Sequence, residues 1–289
     1  MLAVANRVSI SLFAMALVTG LTGTNGARAA DTEHLFGFTT GADVGKVGER
    51  ELETELTGRS GKHAGSYSAI NQTFEAKITP FENLRISAAM AVAYFDVSGV
   101  PGLMDRRQIA PQGFMVEARY RLLSSERGPF SLTIIAAPRW DRTDEISGAA
   151  INGYGGTLTV AMDKAIIANR LFGAVNVLYD TEAANVPATN SWQHDSRFGA
   201  SAALSTQVQS GFFIGGEVRY LRAFDGTGLD RFAGHAVFAG PTMYYQLSPQ
   251  LVLSGAWSFQ VAGQTASGGA LDLIHFERHQ AKLRLNYNY

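Results

Sequence analysis

A period of two runs through nearly the whole chain after its first fifty residues. In "GFMVEARYRLL", Phe114, Val116, Ala118, Tyr120 and Leu122 alternate with Glu117, Arg119 and Arg121. "FFIGGEVRYLRAF" sets Phe212, Ile214, Val218 and Tyr220 against Glu217 and Arg219, and "KLRLNYNY" sets Leu283, Leu285, Tyr287 and Tyr289 against Lys282, Arg284, Asn286 and Asn288. Successive side chains of a strand point to opposite faces, so each segment reads as a strand with one apolar and one polar face. Helical spacing never persists. The chain must therefore fold as an all-β protein.

A soluble sandwich or a lipocalin-like barrel also alternates, and three features separate this chain from them. The alternating segments run about 10 to 14 residues, against the roughly 5–6 of globular strands and the 9–11 that cross a bilayer at a tilt. The polar face carries full charges, such as Glu75 with Lys77 or Arg139 with Asp141. Aromatics gather near segment ends, among them Trp140, Trp257, Tyr287 and Tyr289. A polar interior between two aromatic girdles describes a transmembrane antiparallel β-barrel, with Trp140, Trp257, Tyr287 and Tyr289 as interface anchors.

Turn chemistry sets the strand count. Short connections fall at 79–83, 124–128, 163–169, 209–211 and 247–250, with longer Gly-, Asp- and Pro-bearing ones near 60–66, 97–112, 142–153, 182–194, 224–234 and 263–272. Five turns alternating with six loops join about twelve strands in up-and-down order, starting near residues 48, 67, 84, 112, 130, 154, 170, 196, 212, 235, 250 and 275. Ten or fourteen strands remain open on this reading. Residues 48–289 form one barrel domain.

The N-terminus reads as a leader. Arg7, the apolar stretch Val8 to Leu21 and Ala27-Arg28-Ala29 make a secretory signal peptide over residues 1–29. Residues 30–47 then lie either in the periplasm or inside the barrel. Lys and Arg number 24 and Asp and Glu 25; the leader holds Arg7 and Arg28, leaving 22 against 25, a net of −3. That balance gives nucleic acid no footing as a partner. Without cysteine there is no disulfide framework and no thiolate ligand or nucleophile.

In a closed antiparallel barrel the first strand meets the last. "GERELETELTGR" puts Glu49, Glu51, Glu53 and Glu55 on one face, and the last strand offers Arg278, Lys282 and Arg284. An acidic and a basic ladder would then meet at the closing seam, with Lys77 reaching the acids from the second strand. Glu117, Arg119, Arg121, Glu217 and Arg219 extend the inward charge. These groups either neutralise one another and fill the interior, or line a water-filled path and set its ion preference.

No catalytic set emerges. A hydrolase needs a nucleophile, a base and an orienting group within reach. His34, His63, His194 and His235 fall before the barrel or by loops; His279 sits on the outward register with no outward serine read beside it, and His275 carries no partner motif. Asp141, Asp144 and Glu145 cluster at a loop end without a discriminating motif, and no spacing suggests a metal or cofactor. "GYGGT" precedes no helix and is glycine packing in a strand.

The leader, the alternating strands and the aromatic terminus "LRLNYNY" resemble bacterial outer-membrane β-barrel proteins, in which the last strand is read by the barrel-assembly machinery and usually ends in Phe rather than Tyr289. "HLFGFTTGADVGKVGERE", "GPTMYYQLS" and "HFERHQAKL" are similar to porin-like barrels of Alphaproteobacteria that mostly lack an assigned activity. The resemblance implies a Gram-negative outer membrane, its lipids and the assembly machinery as partners. The expected role is passive diffusion of small polar solutes through a lumen of mixed charge, as a monomer or an oligomer and without enzymatic activity. The alternative is a non-conducting structural or ligand-binding barrel that acts through its outer loops, with Trp192 and residues 224–234.

Overall fold

The computed structural model describes residues 32–187 and 189–289; the leader lies outside them. Twelve strands follow in chain order: β1 (Arg50–Ser60), β2 (Ser66–Phe81), β3 (Leu84–Ser98), β4 (Arg106–Leu123), β5 (Ser131–Thr143), β6 (Ala150–Ile167), β7 (Leu171–Val186), β8 (Ser191–Gln209), β9 (Phe212–Asp225), β10 (Phe232–Gln246), β11 (Leu251–Thr265) and β12 (His279–Asn288). Each pairs antiparallel with the next, and β12 pairs with β1 to close the barrel. The fold is the one the alternation requires, with twelve strands joined by five connections at one end of the barrel and six at the other, 82–83 and 210–211 being the shortest and 266–278 the longest.

Closure leaves no edge strand, so every ladder bond finds a partner inside the sheet. The turns use residues suited to left-handed backbone. Asn83 (φ 69°), Asn169 (φ 57°) and Gly211 (φ 72°) sit at three of them, and asparagine and glycine tolerate that region. Glu82 and Asn83 alone join β2 to β3, so Thr79, Pro80 and Phe81, read as turn residues from the sequence, belong to the strand. Likewise β6 runs on to Ile167, which moves Asp163 from a turn into a strand.

Several strands are longer at the loop end than the periodicity suggests. β4 starts at Arg106 rather than 112, and β7 and β8 leave only residues 187–190 between them rather than 182–194. Once a strand rises beyond an apolar environment its outward face no longer needs apolar side chains. Backbone pairing continues there while the sequence signal fades. β12 errs the other way, beginning at His279 instead of 275. Asp272, Phe276 and Glu277 of the preceding connection are buried inside the barrel, where Phe276 packs on Phe238. Arg278 is consequently exposed at the rim, one residue before the ladder, and does not join the inward charges as the register alone would suggest.

The barrel is apolar outside and charged inside. Leu52, Phe74, Leu283 and Val177 stand exposed on the outer wall, whereas Glu51, Glu53, Lys77, Arg85 and Arg119 are buried within it. A soluble barrel would reverse this distribution. Leu52 lies opposite Tyr287, near the turn end of the wall, so Val177 within β7 is the better mid-wall probe. Unheated protein should migrate faster than boiled protein on a denaturing gel, and Val177→Arg should lower the folding stability by about 2–4 kcal/mol. Equal migration of heated and unheated samples would remove the membrane reading.

Candidate functional site: a charged lumen closed by an N-terminal loop

Residues 32–44 enter the turn half of the lumen and fold back on themselves. Asp163 on β6 holds both ends, accepting from Thr32 Oγ1 at 2.6 Å and from the Ala42 amide at 2.6 Å. Gly41 is required at the return: a Cβ there would lie 2.0 Å from the Thr32 carbonyl oxygen. Between the pinned ends the loop reaches the inner wall all the way round. Glu33 meets Lys77 (2.9 Å), Arg85 and Arg119 (3.3 Å) on β2, β3 and β4. His34 meets Glu51 on β1 at 3.1 Å. Ala42 O accepts from Thr133 of β5, and Thr40 exchanges two hydrogen bonds with Asn176 of β7.

The other side of the loop completes the ring. Thr39 donates to Ser201 of β8, and the amides of Phe38 and Thr39 both donate to Glu217 of β9 at 2.9 Å. Leu35 and Phe36 join Phe172, Ala203, Phe213, Tyr244 and Val252 in an apolar cluster that touches β7 to β11. The Phe38 ring lies under the Arg219 guanidinium at 3.8 Å and the Lys282 ammonium of β12 at 4.9 Å. All twelve strands thus contribute to seating this loop. Gly37 marks a close approach of the loop to the wall, since a Cβ would stand 2.4 Å from the Ala256 side chain.

The acidic row of β1 divides between two tasks. Glu55 pairs with Lys282 (3.0 Å) and Arg284 (2.9 Å), and Glu53 with Arg284 (3.1 Å) and Lys77 (2.6 Å), across the β1–β12 and β1–β2 ladders. Glu51 does not reach the seam cations. Its register partner on β12 is Asn288, which offers no charge, so it turns to His34, Lys77 (2.9 Å) and Arg85. Glu49 precedes β1 and pairs with Arg85 at 2.7 Å. The Asn286 amide, oriented with its oxygen toward His34, donates to Glu53 at 2.9 Å and Glu51 at 3.2 Å. Elsewhere in the wall Glu117 holds Arg119 at 2.6 Å, Arg121 faces Asp43 at 3.6 Å, and Glu217 serves the inserted loop.

Glu33, His34 and Glu51 are the one group among the described residues whose carboxylate and imidazole atoms converge closely enough for a metal ion. The surroundings oppose that use. Lys77, Arg85 and Arg119 already sit on the same carboxylates, and an arriving cation would meet three fixed positive charges. The arrangement is an ion-pair network that fixes the loop.

Two cavities lie above the loop and share Thr73 and Met115 in their walls. The lower, about 250 Å³, is lined by Glu33, Glu55, Glu75, Glu117, Lys282 and Arg284 among others. The upper, about 270 Å³, is lined by Arg139, Asp141, Asp180, Glu182 and Arg197 together with Gln112. At the loop end Arg59 pairs with Glu145 at 2.5 Å and holds its carboxyl below the usual carboxylate range. Burial pushes the Lys62 ammonium down, although Glu277 stands 3.3 Å away.

On the outer wall Trp140, Trp257, Tyr287 and Tyr289 are all exposed. Arg142 lies over the Trp140 ring at 5.1 Å, and Tyr287 stacks on Tyr289 at 6.2 Å. His279 packs on Trp257 at 6.0 Å, and Ser60 is its register partner on β1, a neighbour not foreseen from the sequence. No hydrogen bond joins His279 and Ser60 among the described residues, and the His279 Nδ1 atom is buried without a partner.

Glu33, His34, Arg85 and Asp163 were not foreseen as functional residues. Arg85 was visible as a charge on the polar face of "NLRISAAM", but its partner Glu33 lies outside any alternating segment. Glu53 lines the lower cavity, and Lys77 keeps Glu33 and Glu51 while Arg284 keeps Glu55, so Glu53→Gln should cost about 1–3 kcal/mol. Glu53→Gln with Arg284→Gln should recover part of that loss in a double-mutant cycle read by urea unfolding on gels. Strict additivity would dissolve the coupling argued for the seam.

The COG4313 outer membrane channel from Pseudomonas putida F1 has a similar fold, with a TM-score of 0.60 at 13% identity over 86% of this chain and 98% of that one. The translocator domain of the autotransporter NalP from Neisseria meningitidis gives a TM-score of 0.50 at 14% identity, over 86% of this chain and 91% of that one. At such identities the likeness lies in the fold, a closed antiparallel barrel of the outer-membrane kind. No curated protein sequence matches the chain. A family of unknown function, DUF6662, matches residues 28–289, and the chain belongs to it.

Proposed function

We propose that the protein is an outer-membrane channel for small polar solutes whose turn end, facing the periplasm, is closed by residues 32–44. The observation that carries this reading is the inserted loop. A purely structural barrel fills its interior with side chains of its own strands. Here a segment outside the sheet, held by side-chain hydrogen bonds, ion pairs and one apolar cluster, occupies the turn half beneath two adjoining polar cavities. Removing it would leave a charged passage through the lipid.

The outer-membrane setting is supported by the apolar outer wall, the exposed aromatic residues and the fold shared with the Pseudomonas putida channel. The resemblance of the chain ends to porin-like barrels of Alphaproteobacteria agrees with it, as does an aromatic last strand suited to the barrel-assembly machinery. A barrel acting through its outer loops is the weaker reading. Connections such as 61–65, 144–149 and 187–190 are short, and Trp192 sits within β8 rather than on a loop.

Planar-bilayer recordings of the full chain should show low conductance, rising several-fold when residues 32–44 are deleted. Gly37→Val should act in the same direction because it unseats the loop without removing charge, and Asp163→Asn should loosen both of its ends. Liposome swelling with neutral sugars should follow the same order. Heat-modifiable variants that stay closed to ions and sugars would overturn the channel reading.

A further inference from the structure

The upper cavity has more acceptors than its own cations can satisfy. Asp141 on β5 pairs across the ladder with Gly153 of β6, and Glu182 on β7 with Gly155 of the same strand. Those glycines leave the wall bare between the two carboxylates. A Cβ on Gly153 would lie 2.6 Å from Glu182 Oε1 and 3.3 Å from the Asp141 Cβ. Strands that are not neighbours in the sheet thereby bring two acids together over β6.

One guanidinium serves three of the acids. Arg139 lies 2.8 Å from Asp141, 2.5 Å from Asp180 and 3.7 Å from Glu182, and Arg197 adds a second contact to Asp180 at 3.3 Å. Among the described residues Glu182 has only that long ion pair. Gln112 supplies an independent sign. It is 8% exposed and lines the same cavity; its Nε2 donates to the Thr143 carbonyl at 2.5 Å, while its Oε1 has no partner. Buried acceptors of this kind call for a donor.

We propose that this cavity binds a compact organic cation with separated N–H donors, such as a diamine or a guanidinium compound. Both arginines are committed to carboxylates, so an anion would have to break existing pairs. A bare metal ion is a poor occupant, because the only close convergence of three carboxylate or imidazole ligands among the described residues is at Glu33, His34 and Glu51. A volume of about 270 Å³ admits a small molecule with donors at both ends, at the lower limit of the roughly 300–1,000 Å³ typical of ligand pockets. Arg197 and Glu145 keep about a third and a half of their side-chain surface exposed, which leaves the cavity reachable from the loop end. The inference rests on the channel reading only for the cation's route. Binding is measured without conduction, and the two fail separately.

The full chain in detergent, titrated calorimetrically with 1,4-diaminobutane, should show one saturable site. Glu182→Gln and Gln112→Met should each weaken it by about ten-fold or more, and Glu126→Gln in an exposed turn should leave it unchanged. 1,4-Butanediol, succinate and calcium should not compete. In the unaltered protein, carbodiimide should couple the diamine to Glu182 or Asp141 as an amide, the carbodiimide taking up the water released. Peptide mass spectrometry would place the label. Absent binding, equal affinity in the variants, competition by succinate or calcium, or label spread evenly over exposed carboxylates would overturn the proposal.

Discussion

Everything in this molecule depends on the ladder between β1 and β12. It removes the last sheet edges and turns twelve amphipathic strands into a wall with an inside and an outside. The same ladder fixes which face of β1 looks inward, because a slip of one residue would exchange Glu51, Glu53 and Glu55 with Leu52, Thr54 and Leu56. Charge pairing reinforces the register. Glu55 opposite Arg284, with Lys282 beside it, fits one alignment, and displacement would strand acids and bases against the apolar exterior.

An interior built this way has a cost that shapes the rest. Buried ions are stable only when each finds an opposite charge and further hydrogen bonds. β2, β3 and β4 bring Lys77, Arg85 and Arg119 into the turn half, where they meet Glu49, Glu51, Glu53 and Glu117. Glu33 of the inserted loop adds one carboxylate that contacts all three bases and ties the loop to them. The loop is thus part of the electrostatic closure of the barrel as well as its physical plug. Its apolar half, Leu35 and Phe36, seats against the opposite wall, where β7 to β11 present Phe172, Phe213 and Tyr244 inward. Polar and apolar halves of one short segment match two different sectors of the lumen.

This division explains what was legible in the sequence. Strand order and inward face follow from period two, which the bilayer imposes on every strand that crosses it, while the count of about twelve comes from the turns. The seam was legible because Glu53, Glu55 and Arg284 lie on those strands at known register. Glu51 was misassigned to the seam: its β12 partner is the uncharged Asn288, and beside Lys77 and Arg85 it meets His34 of a loop that has no period at all. Arg278 shows the same gap: parity points it inward, but the strand starts one residue later, after Asp272, Phe276 and Glu277 tuck into the lumen. Segments that cross no membrane carry no alternation, and their contacts become visible only once the wall around them is built.

The inserted loop and the cavities above it are continuous in their chemistry. The lower cavity is floored by Glu33, the same carboxylate that neutralises Lys77, Arg85 and Arg119, so anything reaching it from the loop end touches the group that seats the loop. A cationic occupant there would compete with those three bases for Glu33, whereas an anionic one would compete with Glu33 for the bases. Either exchange weakens the seating, and a ligand shifts an equilibrium only as far as its differential affinity for the two states. With Asp163 pinning both ends and Gly37 pressed against Ala256, no single lost pair frees the loop. Release under the proposed reading therefore has to be cooperative, with the Glu33 network and the apolar cluster giving way together.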